Sequence, residues 1–169
     1  MTTLSRPGTG DFAPHYALYV AAVPEGDLLT ILEGQLEDAA ALSALPGDHR
    51  YAPGKWSVKE VLGHIVDAER IFAYRLLRIA RNDATPLPGF DENLYVPESG
   101  AGARTVADLL EEFALVRRST LALLRSLPAE ALGRSGPVNG RPITASALAY
   151  VVAGHAAHHF QVLRERYAS

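Results

Sequence analysis

The feature that most constrains the fold is a helical spacing of apolar residues, which recurs in four long stretches separated by proline- and glycine-rich breaks. Residues 24–45 place Leu28, Leu32, Leu36 and Ala39 on one face, and Pro46-Gly47 stops the stretch. Residues 58–81 have the clearest start. Ser57 and Glu60 form an S-x-x-E capping box, with Trp56 and Val61 at the staple positions. Val61, His64, Ile65, Ala68, Ile71 and Phe72 then share a broad inward face. A third stretch follows Thr105, with Leu109, Leu110, Phe113, Val116, Leu121 and Leu124 as its apolar surface, until Leu127-Pro128. Residues 129–134 add a short helical turn, and residues 13–22 fit a short packed helix.

The fourth stretch, residues 144–167, carries an inward stripe of Leu148, Val152, His155, His159 and Val162. No segment shows a convincing β-alternation, and GRSGPVNGRP reads as the connection before this last helix. Four amphipathic helices with a long middle connection predict an all-α four-helix bundle, a fold that builds metal sites from side chains on facing helices. At 169 residues the chain suits a single domain over 1–169, with a core of about 16–167. The middle connection, 82–104, is too rich in proline and glycine to predict a helix. A structureless segment of that length is usually functional, so it is expected to cover the site.

Two histidines four apart on a helix lie one above the other, so His155 and His159 can close on one cation. An unpartnered imidazole on an apolar stripe costs about 1–3 kcal/mol in desolvation, and two stacked there favour a shared ligand over separate buried rings. His64, on the core face of another helix, completes a metal triad. Three protein ligands commonly leave a coordination position for water or substrate. His158, rotated about 100° from His159, is assigned a non-ligand role. His15 and His49 fall in surface or loop segments. Asp67 or Glu69 is a candidate to orient a ligand imidazole, although their directions differ too much for both to do so. Gln35 is a weaker candidate for the pocket.

Composition removes several classes of function. Without cysteine there are no disulfides, no zinc-thiolate site and no catalytic thiol, so a nucleophilic thiol must arrive with a substrate. A net charge of −3 argues against nucleic-acid binding through phosphate neutralisation. The N-terminus has no apolar signal core and no stretch is long enough to span a membrane, which predicts a cytoplasmic protein. There is no G-x-S-x-G elbow, phosphate loop or dinucleotide fingerprint. Arg75, Arg78 and Arg81 can bind an anion, but their three-residue steps spiral around the helix and read as a solvated face. Tyr16, Tyr19, Tyr74 and Tyr95 read as packing residues.

Three segments, GKWSVKEVLGHIVDAER at 54–70, PLPGFDENLYV at 86–96 and GHAAHHFQVLRERY at 154–167, resemble the DinB-like superfamily of metal-binding four-helix proteins. That superfamily includes bacterial thiol-dependent transferases. The resemblance spans roughly residues 16–167 and implies the same metal triad, His64, His155 and His159. It also implies a bundle with unusual connections, a homodimer, and for some members the use of a low-molecular-weight thiol. Its implied activity is a metal-dependent thiol S-transferase acting on a small electrophile. The alternatives are a hydrolase using a metal-bound hydroxide and a non-catalytic, stress-linked protein that binds metal or ligand. One divalent ion per chain is expected, zinc or nickel ahead of iron or manganese.

Overall fold

The computed structural model describes residues 4–168; residues 1–3 and 169, which the single-domain span 1–169 includes, lie outside them. A 3-10 turn at Pro14–Tyr16 leads into α1 (Ala17–Ala22), followed by α2 (Leu28–Ala40) and α3 (Val58–Ala80). The middle connection then carries α4 (Glu92–Glu98) and a second 3-10 turn at Ala101–Ala103. The remaining helices are α5 (Val106–Ser126), the single turn α6 (Ala129–Leu132) and α7 (Ala145–Arg166). A hairpin of β1 (Ser135–Val138) and β2 (Arg141–Thr144) precedes α7, paired antiparallel with Val138 opposite Arg141. The long helices α2, α3, α5 and α7 form the bundle expected from the apolar spacing.

Each long helix starts at a side-chain cap. Ser57 Oγ accepts from Glu60 N while Glu60 accepts from Ser57 N, the reciprocal box read from the sequence. Thr105 and Thr144 accept from the amides three residues ahead, at the starts of α5 and α7. Asp27 caps α2 through Thr30 N. That cap explains why this helix is shorter than the 24–45 expected: the residues from Pro24 to Gly26, with Gly26 at φ 141°, lead into the cap, and residues 41–45 are turns.

Two expectations need correction. The 82–104 connection is not without helix, since Asp91 accepts from Asn93 N and starts α4. Pro97 is tolerated because it sits near the end of a seven-residue helix, where few intrahelical bonds remain to be lost. The chain also has strands. Asn139 and Gly140 take the positive φ values of 50° and 75° that a two-residue hairpin turn requires. The tip of this hairpin holds the middle connection: Leu87 N donates to Pro137 O, and Asn139 N donates to Leu87 O.

The core is divided between two apolar clusters. Ala68, Phe72 and Leu76 of α3 and Leu148, Val151 and Val152 of α7 belong to one; Val61, Leu62 and Ile65 and then Ala156, Phe160 and Leu163 belong to the other. Three of the buried polar side chains, Gln35, Glu69 and Arg117, join in one network. Arg117 of α5 makes a bidentate pair with Glu69 of α3 at 2.8 Å for each bond, and its Nη1 donates to Gln35 Oε1 of α2 at 2.6 Å. Gln35 Nε2 donates in turn to Ala153 O of α7 at 2.8 Å. One network therefore ties all four long helices together at mid-height. No helix among the described residues is long and apolar enough to cross a membrane.

Candidate metal centre

His64 lies on α3, near its capped start, whereas His155 and His159 lie one turn apart on α7. Packing of α3 along α7 brings the three rings together. Their centroids are 4.9 Å apart for His64 and His155, 4.9 Å for His64 and His159, and 4.5 Å for His155 and His159. One ring nitrogen from each lies within 4.8 Å of the others. The closest approach is 3.0 Å, between Nε2 of His64 and Nε2 of His155. The residues meeting at this point fit a cation: three neutral nitrogen donors converge, as a divalent transition metal with imidazole ligands requires.

A glycine precedes each half of the triad, and packing accounts for both. A methyl group at Gly154 would overlap the Tyr19 carbonyl, so the absence of a side chain lets α1 lie directly on α7 beside His155. Gly63 similarly faces Ala101, with 2.9 Å between an added carbon and the alanine Cβ.

Burial shapes the electrostatics. His64 and His155 are almost wholly buried and His159 is half-buried. Loss of solvation pushes all three below the ordinary histidine range; His159 falls to about 3, helped by repulsion from His64 and His158. For His64 the negative charge of Glu92 opposes the effect. The rings are thus neutral at pH 7, the form that ligates metals. Among the described residues no carboxylate or backbone carbonyl hydrogen-bonds to any of them.

The triad lines a cavity of about 260 Å³. Tyr16 and Tyr19 close it from the N-terminal segment, with His15 beside them, and Trp56, Phe72 and Arg75 enter from α3 and its approach. The middle connection supplies Gly89, Phe90 and Glu92, and the hairpin tip supplies Asn139. Phe72 and Tyr19 stand edge-on to His155 at 5.4 Å and 5.3 Å, while Trp56 tilts against His64 at 5.0 Å. Burial raises the phenols of Tyr16 and Tyr19, so both keep their protons at neutral pH and can donate. The 82–104 connection forms part of the wall, as its length predicted.

Not every candidate from the sequence reaches the site. His158 stands outside the triad and faces a neighbouring cavity with Tyr51, Lys55 and Arg166. His49 contacts Tyr167, away from the centre. Neither Asp67 nor Glu69 orients an imidazole: Glu69 is engaged by Arg117, and Asp67 lies in a separate groove with Arg70 and Ile71. Glu69, five residues on from His64, is rotated about 140° from it, whereas Asp67, only about 60° away, lines a groove outside the cavity of the triad. Gln35 is buried in the Arg117 network and does not line the cavity. His15 is exposed as expected, yet it stands at the cavity wall. Tyr16 and Tyr19 are lining residues as well as packing ones, whereas Tyr74 and Tyr95, expected to pack, are instead exposed.

The arginine expectation also divides. Arg78 pairs with Asp83 and contacts Tyr74, and Arg81 is exposed, in keeping with a solvated face. Arg75 instead points inward, is 4% exposed, and borders the same cavity as the triad. Its inward position follows from the eleven residues separating it from His64, close to three full turns. That spacing was the available signal, and the three-residue steps obscured it.

Among curated proteins, none matches the chain in sequence. One solved structure, described as "YfiT from Bacillus subtilis is a probable metal-dependent hydrolase with an unusual four-helix bundle topology", is similar in fold. It aligns with a TM-score of 0.72 at 18% identity, over 96% of this chain and 94% of the other. The DinB superfamily model matches residues 28–163, a span that takes in α2, α3 and α5, all but the last turn of α7, and the three converging histidines. The chain therefore belongs to the DinB superfamily.

Proposed function

We propose that this protein is a divalent-metal-dependent enzyme acting on a small molecule, with His64, His155 and His159 as the metal ligands. The observation that carries this reading is the convergence of three neutral imidazoles, without a fourth His or acidic ligand among the described residues, on the wall of a cavity. A divalent cation held there supplies a Lewis acid that acidifies a thiol or a water molecule. The protein's own groups do the rest. Trp56, Phe72 and Phe90 restrict water beside the triad, and the protonated phenols of Tyr16 and Tyr19 offer hydrogen bonds to a substrate.

Transfer of a low-molecular-weight thiol to an electrophile is the first reading, supported by the family resemblance; the chain, lacking cysteine, requires that the thiol come from outside. Hydrolysis is the second, supported by the fold shared with YfiT. Elemental analysis of untagged protein is expected to find one divalent ion per chain, greatly reduced in His64→Ala, His155→Ala and His159→Ala and retained in His158→Ala. Full occupancy in the His64 or His159 variant would sink the triad. Assays of the loaded enzyme then separate the reactions: turnover that requires an added thiol supports transfer, and thiol-independent cleavage of esters or amides supports hydrolysis. Metal binding without turnover on either panel points to a binding protein.

A further inference from the structure

Arg75 and Arg117 are both buried arginines, and the contrast between them is informative. Arg117, fully buried, has its charge matched by Glu69 in bidentate geometry. Arg75 has no acidic partner among the described residues. Its Nη2 donates to Pro88 O at 2.8 Å, and its guanidinium lies over the rings of Phe72 and Phe90 at 5.9 Å and 5.7 Å. These contacts hold it in place but do not neutralise it. A desolvated charge without a counter-ion is costly, and burial opposes the charged state of this one. The guanidinium also borders the cavity of the histidine triad, where Phe72 contacts both it and His155.

We propose that Arg75 is the binding residue for a carboxylate on the substrate, whose reacting group lies a few bonds away, at the histidine triad. Aromatic rings flank the guanidinium, and an arginine edge offers paired N–H donors that match a planar carboxylate. Asn139, on the same cavity, adds a polar side chain. Glu92, also on the lining and not paired with Arg75, disfavours an anion at its own position. The two charges give the cavity a direction: the carboxylate goes to Arg75. The inference rests on the proposed substrate cavity, but it makes a separate claim about one residue.

The test titrates metal-free and cobalt-loaded protein with 3-mercaptopropionate and 3-mercaptopropionamide, which differ only at the anionic end. Two signals are followed, the cobalt spectrum and the Arg75 Nε–H resonance, the latter identified by its loss in Arg75→Gln. The acid is expected to bind at least about tenfold more tightly than the amide and to move the Arg75 resonance in both forms. That preference should fall to about twofold or less in Arg75→Gln and be partly kept in Arg75→Lys. Equal affinities in the wild type, a still resonance, or a preference that survives Arg75→Gln overturns the proposal. If the glutamine variant does not fold, the wild-type comparison and Arg75→Lys decide. Ethylphosphonate that binds as tightly as propionate overturns the choice of carboxylate. A moving Arg75 resonance with an unchanged cobalt spectrum supports this anion site while counting against thiol ligation at the metal.

Discussion

The three site histidines are neutral because the fold removes water from them, and neutrality has a consequence for stability in the metal-free protein. A ring whose folded pKa is depressed takes up a proton more readily in the unfolded chain, so acid favours unfolding. The sign is fixed: stability is fully present above the unfolded value of 6.5 and is lost as pH falls toward the folded value, about 3 for His159. His64 and His155 shift in the same direction. Thermal melts of metal-free protein are therefore expected to show a falling Tm from neutral pH down to about pH 4, with a shallower fall in His159→Ala. A flat profile would contradict buried neutral rings. The three converging histidines were readable from the sequence, because spacing and apolar context are local properties; the partners of Asp67, Glu69 and Arg75 were not, because they depend on which helix each residue faces.

At the level of elements, the position of α7 depends on two close arrangements. Gly154 allows the Tyr19 backbone to rest on the helix, so Gly154→Ala forces α1 away and is expected to cost about 1–3 kcal/mol in urea unfolding, with weakened metal retention through His155. Stability and metal content unchanged from the wild type would remove that role. The Arg117–Glu69–Gln35 network is the second arrangement. Glu69→Ala leaves a buried guanidinium unpaired and is expected to lose about 3–5 kcal/mol, while replacing both Glu69 and Arg117 by apolar residues of similar volume recovers much of that loss. A double variant no more stable than Glu69→Ala would count against the account. The hairpin was legible in principle: Asn139-Gly140 is a strong turn signal, but Gly136, Pro137 and Pro142 mask the strand pattern around it.

For the molecule as a whole, we expect a homodimer. The family resemblance points to one, and Tyr74 on α3 with Leu94 and Tyr95 on α4 leaves exposed apolar surface on one side of the bundle. Light scattering that finds only an 18.2 kDa species across micromolar concentrations would count against it. The middle connection is tied to the hairpin through Leu87 and lines the cavity through Gly89, Phe90 and Glu92. Shortening it is expected to weaken substrate use more than metal retention, since none of the three histidines lies on it; equal loss of both would contradict a wall function.

By itself, the sequence determined the bundle class, the capping box that starts α3, and the identity of the three converging histidines. All of these follow from periodicity and short-range spacing, which a linear chain carries explicitly. Only the tertiary structure decided that Tyr16, Tyr19 and Asn139, distant in sequence, share one cavity with the triad. It also decided that Glu69 serves Arg117 and not a histidine, and that Arg75 is buried beside the site without an acid. The physical reason is that burial and charge pairing are properties of two surfaces meeting. The rotation of each helix against its neighbours sets them, and no spacing within one helix records it.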